Sequence, residues 1–130
     1  MIVKFFDLED DSNPFNGLAI SDHERLAALL DSLRTREPFV AELVGEGDCC
    51  LDIGIGEDVG SVLCEFQDRP CLLALAGPEN RRKRGFEFMM GGQPSYVPAK
   101  FILPFEKVKE IAIYFQQTGG LSPAFRWERG

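Results

Sequence analysis

From Pro38 onward, apolar and polar positions alternate with a period of two. The segments FVAELVG, CCLDIGI, SVLCEFQ and CLLALAG are of strand length, and only EGD, GEDVG and DRP separate them. Connections that short join antiparallel neighbours, so this stretch predicts a meander. Upstream, MIVKFFDLED reads as an opening strand before the turn-rich DDSNPFNG. The period then changes: in SDHERLAALLDSLR, Leu26, Leu29, Leu30 and Leu33 recur at i, i+3, i+4 and i+7, one apolar stripe of a helix. Ser21 is placed to cap that helix, with Glu24 completing a capping box.

Downstream, FEFMMGG and SYVPAKFIL read as two further strands, with Pro98 marking an edge or a bulge in the second. A second helix follows in PFEKVKEIAIYFQQTGG. Pro104 suits its first turn, and Gly119 or Gly120 its left-handed stop. Phe105, Val108, Ile111, Ala112 and Phe115 share its apolar face. PAFRWER is the closing strand, in which Phe125 and Trp127 fall on one face and close the core. Burying the indole contributes about 2–3 kcal/mol. Together the elements predict an α+β fold: an antiparallel meander-type sheet of about six to eight strands with two packed helices, at about 21–34 and about 105–117. A length of 130 residues fits one domain spanning 1–130.

Composition narrows the class without changing that picture. Apolar residues make up 45% of the chain and aromatic residues 11%, which is a globular composition and excludes disorder. No apolar run approaches the roughly 20 residues that cross a bilayer. MIVKFFDLEDD turns acidic at once and does not read as a signal peptide. The expectation is therefore a cytoplasmic protein. The cysteines Cys49, Cys50, Cys64 and Cys71 are spaced C-C-x13-C-x6-C, which fits no zinc pattern. Cys49 and Cys50 would face opposite sides of a strand, so the thiols read as small packed side chains and no metal or cofactor is expected.

Charge does change the picture. The net charge is -7, yet residues 1–68 hold 16 acids against 4 bases, and residues 69–130 hold 5 acids against 10 bases. From Glu37 to Asp68 there are nine carboxylates and no cation. Catalytic chemistry is poorly served by contrast. The single histidine, His23, lies in the first turn of the first helix away from its apolar stripe and reads as solvated. GIGEDVG has neither the glycine spacing nor the following helix of a dinucleotide loop. Asp52 and Glu65 could form a carboxylate pair across a hairpin, as glycoside hydrolysis requires, although seven other acids share the stretch. No catalytic residue is assigned. The run Arg81, Arg82, Lys83, Arg84 reads as a solvated loop, with nucleic-acid binding as its functional alternative. A stable domain with a dense acidic sheet suits docking onto a basic protein, where complementary charge speeds encounter.

LDIGIGEDVGSVLCEF followed by YVPAKFILPFEKVKEIAIYFQQTGGLSPAFRWER resembles immunity protein family 1 of bacterial polymorphic toxin systems. The resemblance runs through Leu51, Ile53, Gly54 and Gly56 of an L-x-[VI]-G-x-G strand, then Pro104, Phe115, Thr118, Gly119, Pro123, Trp127 and Glu128, over roughly residues 39–130. It implies a non-enzymatic protein that binds and neutralises a cognate secreted toxin domain, a nucleic-acid deaminase or nuclease, by occluding its basic cleft. The resemblance does not designate contact residues. The charge count alone designates Glu46, Asp48, Asp52, Glu57, Asp58 and Glu65 as the toxin-binding set.

Overall fold

A computed structural model describes residues 1–130. The opening strand β1 (Val3–Asp7) is followed by β2 (Leu18–Ile20) and helix α1 (His23–Leu33). The meander is β3 (Phe39–Val44), β4 (Cys49–Ile55), β5 (Val59–Phe66) and β6 (Leu72–Ala74). Then come the hairpin β7 (Phe86–Met90) and β8 (Gln93–Val97), a 3-10 turn at Ala99–Phe101, β9 (Leu103–Pro104), helix α2 (Phe105–Thr118) and β10 (Trp127–Arg129). These ten strands form one sheet whose main path runs β10-β6-β5-β4-β3-β1-β2.

The α+β class and the antiparallel meander β3-β4-β5-β6 stand as the alternation predicted. Strands exceed the expected six to eight because two short ones were not expected, β2, which pairs with β1, and β9. β9 joins β5 at Val59–Pro104, β10 joins β6, and β7 joins β3 in parallel at Phe39–Met89. Three local expectations are corrected. Helix α1 starts at His23, one residue later than a Ser21 cap would give, so Asp22 is the cap and its carboxylate accepts from the Glu24 N–H at 2.8 Å. SYVPAKFIL is not one strand: Pro98, lacking a donor, ends β8 at Val97, and the chain tightens into the 3-10 turn. PAFRWER pairs only from Trp127, and Phe125 precedes the strand.

The sheet has two unlike faces. Phe5, Ala41, Leu43, Leu51, Ile53, Val62 and Cys64 point to one, where they join Leu26, Leu30 and Leu33 of α1 and Phe105, Val108, Ile111, Ala112 and Phe115 of α2 in a single core. Both helices lie on this inner face because each carries one apolar stripe that burial rewards. Helix α2 ends as expected at Gly119, whose φ of 76° is left-handed. Pro104 is its cap rather than its first helical residue. Trp127 is half-buried against the core, and its Nε1–H donates to the Ser122 carbonyl at 3.1 Å.

The outer face is covered at one end only. There Phe88 of the hairpin packs with Val40 and Ile102 in a second, smaller core. Gly54 makes the approach possible: a Cβ at that position would lie 2.9 Å from the Phe88 ring and 2.6 Å from Ser61 Oγ. Gly56 is equally constrained, since a Cβ there would lie 2.9 Å from the Val59 carbonyl across the β4–β5 turn.

Candidate functional site

The register of the central strands fixes what the uncovered part of the outer face presents. Glu42 sits opposite both Phe6 and Asp52, Asp52 opposite Leu63, and Leu63 opposite Leu73. In the adjoining row Val44 sits opposite both Lys4 and Cys50, and Cys50 opposite Glu65. Period-two alternation therefore brings Glu42, Asp52 and Glu65 from three neighbouring strands onto one open face. Half-buried Phe6, Val44 and Leu63 lie among them.

The three acids are close and uncompensated. Glu42, Cys50, Asp52 and Glu65 each offer a donor atom, and these atoms lie within 4.8 Å of one another. The Cys50 thiol donates to Glu42 at 3.3 Å and reaches Glu65 at 3.9 Å. Among the acids that do have a cation, Asp7 pairs with Arg36 at 2.9 Å, Asp31 with Lys109 at 3.1 Å and Glu128 with Lys100 at 2.6 Å. None of the eight ion pairs involves Glu42, Asp52 or Glu65. Oδ1 of Asp52 is shut off from solvent and has no hydrogen-bond partner.

This arrangement perturbs the protons it holds. Burial, then the charges of Glu65 and Glu42, push the Asp52 carboxyl up to about 8. Burial, the hydrogen bond to Glu42 and the charges of Glu42, Asp52 and Glu65 push the Cys50 thiol up to about 12. Cys50 is therefore a protonated donor at neutral pH and not a nucleophile. The four donor atoms have the spacing a cation can bridge, but a soft metal would first have to displace that thiol proton. The concavity beside them, lined by Val44, Asp48, Cys50, Glu65 and Phe66 among others, measures about 230 Å³. Small-molecule sites run to about 300–1,000 Å³, so the surface is shaped for an incoming protrusion more than for an enclosed substrate.

The six acids designated from charge are divided by the fold. Asp52 and Glu65 belong to the open face, and Glu46 and Asp48 lie exposed in the turn at its near end. Glu57 and Asp58 lie in the β4–β5 turn at the other end of β4, about 20 Å along the strand. There Arg34 donates from Nε to the Glu57 carbonyl and pairs with Asp58 at 3.6 Å. Asp52 and Glu65 do not face one another directly but lie diagonally across adjacent rows. Glu42 was not designated. Its signal was present in the alternation of Phe39, Ala41 and Leu43 with Val40, Glu42 and Val44, which places it outward beside Asp52.

The remaining sequence candidates lie apart from this face. His23 is exposed at the start of α1, and Arg81, Arg82, Lys83 and Arg84 are exposed in the loop between β6 and β7 with no ion pair. Cys49 and Cys50 face opposite sides of β4, and all four cysteines are free thiols. Gly54, Gly56, Pro104, Phe115, Gly119, Trp127 and Glu128 serve turns, packing or, for Glu128, the ion pair to Lys100. No helix is long and apolar enough to cross a membrane.

No curated protein matches the chain. Residues 16–129, from the turn before β2 to the end of β10, match the sequence model of the family described as Immunity protein Imm1. That span contains the open acidic face except for the contributions of β1, together with both helices and the β7–β8 hairpin. The chain belongs to the Imm1 immunity protein family.

Proposed function

We propose that the protein acts in the bacterial cytoplasm as a non-enzymatic inhibitor, binding the toxin domain of a polymorphic toxin system and covering its basic, nucleic-acid-acting cleft. The observation that carries this reading is the open sheet face, where Glu42, Asp52 and Glu65 lie together without one intramolecular cation. Membership in an immunity family supplies a toxin as the partner, and a cleft built to hold phosphates is the complementary surface. Glu46 and Asp48 extend the negative surface at its near end. Glu57 and Asp58 lie at the far end of β4, where Asp58 pairs with Arg34, and contribute to long-range steering only.

The test is to express the C-terminal domain encoded by the gene immediately upstream and titrate it with this protein by calorimetry. Nanomolar binding that also abolishes that domain's toxicity is the expected result, and absence of binding sinks the reading. Charge reversal at Glu42 and Glu65 is expected to slow association and raise its salt sensitivity more than reversal at Glu57 and Asp58. A second reading, nucleic-acid binding, rests on the four exposed and unpaired cations Arg81–Arg84. It requires salt-dependent retention of labelled RNA or DNA by the purified protein, lost when the four are replaced by serine.

A further inference from the structure

The segment between α1 and β3, the β4–β5 turn and the loop before β7 form a second concavity, about 710 Å³ in volume, at the far end of β4 from the acidic face. That volume lies within the range of about 300–1,000 Å³ usual for small-molecule sites. Three arginines reach it from separate segments, Arg34, Arg36 and Arg82. They are not equivalent. Arg34 is fully engaged: it faces Asp31, Asp58 and Glu106 and donates to the Glu57 carbonyl. Arg36 donates from Nη1 to Asp7 at 2.9 Å, and its guanidinium lies 3.9 Å over the Phe39 ring. Those contacts fix the fork and leave Nε and Nη2 without a protein acceptor. Arg82 makes no ion pair. Its backbone is nonetheless held, because Asn80 Oδ1 accepts from its N–H at 3.1 Å and Asn80 Nδ2 donates to the Ala99 carbonyl at 3.1 Å. Its guanidinium lies 5.8 Å from the ring centre of Phe86, which lines the same cleft. Of its neighbours, Arg81 is tied back to the Pro78 carbonyl at 2.9 Å, and Lys83 and Arg84 do not line the cleft.

The geometry points to a binding site for a single nucleoside phosphate, its phosphate held by the free donors of Arg36 and Arg82 and its base lying against Phe86, Pro38 and Val59. Arginine suits the phosphate because its planar fork matches two oxygens at once and never loses its charge. Arg36, already fixed by Asp7 and Phe39, gives up little freedom on binding. Phe86 is held as well, tilted against Phe88 with ring centres 4.9 Å apart, so a flat apolar wall stands beside the cations. Stacking on such a ring tolerates any base. The rim sets the size of the ligand. Glu57 and Asp58 also line the cleft, Asp58 turned to Arg34 and Glu57 without a cation. A lone phosphate meets the two arginines, whereas a long strand also meets these carboxylates and the field of a chain with net charge -7. The occupant is independent of the toxin partner, and it differs from a nucleic acid held by the whole basic run in being small and in needing one particular pair of cations.

The experiment titrates the intact protein by calorimetry with AMP, GMP, CMP and UMP, with the corresponding uncharged nucleosides, and with a short single-stranded RNA. At least one monophosphate is expected to bind at micromolar concentration, and its nucleoside not to bind measurably. Arg82→Gln and, separately, Arg36→Lys, which keeps a cation for Asp7, are expected to weaken that binding by roughly 10- to 100-fold. Arg84→Gln removes the same charge outside the cleft and is expected to leave affinity within about twofold of wild type. Arg82 and Arg84 are exposed, so both of their variants keep the wild-type melting temperature. Failure of every monophosphate to bind overturns the proposal, as does wild-type affinity in Arg82→Gln. Equal weakening by Arg82→Gln and Arg84→Gln overturns it in favour of diffuse attraction to the loop. Tighter binding of the RNA than of every monophosphate overturns it in favour of nucleic-acid binding.

Discussion

Replacing Asp52 by asparagine should stabilise the free protein, and by an amount that depends on pH. The carboxyl has the ordinary value of 3.8 in the unfolded chain and about 8 in the fold, raised by burial and by Glu65 and Glu42. Between those values folding must take up a proton, so this group's penalty is absent below about pH 4, grows as pH rises, and levels off above about pH 8. At roughly 1.36 kcal/mol per unit, the full shift would correspond to about 6 kcal/mol. The proton is shared among three carboxyls and the site stays in contact with water, so about 1–3 kcal/mol is the expected gain at neutral pH. Asparagine keeps an N–H donor for Glu42 or Glu65 with no proton to acquire. Urea denaturation of both proteins at about pH 4.5 and about pH 7.5 reads the difference directly, which should be small at the first and 1–3 kcal/mol at the second. An equal shift at both pH values, or destabilisation at neutral pH, refutes the reasoning.

Gly54→Ala forces a Cβ to within 2.9 Å of the Phe88 ring and 2.6 Å of Ser61 Oγ, so a loss of about 1–3 kcal/mol is expected in chemical denaturation, with the hairpin partly lifted in hydrogen exchange. Phe88→Ala should cost about 3–5 kcal/mol by the cavity it leaves, measured the same way. Asp7 has a fully buried side chain. Burial alone would raise its carboxyl, but Asn13, the backbone at Asp10 and Glu9, and Arg36 hold it below the ordinary value. Its contribution is therefore present above about pH 4 and lost as pH falls through the depressed value, so Asp7→Ala should cost about 3–5 kcal/mol at neutral pH and open the 9–17 loop to proteolysis. Trp127→Ala removes a half-buried indole and its bond to the Ser122 carbonyl; about 2 kcal/mol is expected from thermal melts, with secondary structure retained.

On the proposed function, the first prediction implies a trade between stability and binding, because the three carboxyls that would meet a basic partner repel one another in the free fold. Asp52→Asn is then expected to yield a protein that melts higher and protects less. Asp58, already paired with Arg34, offers no such reserve of unmet interaction.

Much of this protein follows from local pattern. Leucines at helical spacing give α1, the stripe from Phe105 to Phe115 gives α2, and alternation with short connections gives β3 to β6, because the periods 3.6 and 2 record which side of each element is buried. The alternation already put Glu42, Asp52 and Val44 on outward faces. Which acids meet is another matter. Strand register joins Glu42 to Asp52 and sets Glu65 one row away, whereas the length of β4 carries Glu57 and Asp58 to its far end, beside an arginine from the close of α1. The short strands β2 and β9 are too brief for a local period to report them, and the strands that β7 and β10 pair with lie far along the chain, where no local period reports them either. Phe88 packing on Gly54 covers one end of the outer face and leaves the rest open. The sequence determined which residues point away from the helices; only the tertiary structure decided which of those would be covered, because coverage depends on contacts between segments whose separation along the chain carries no periodic signal.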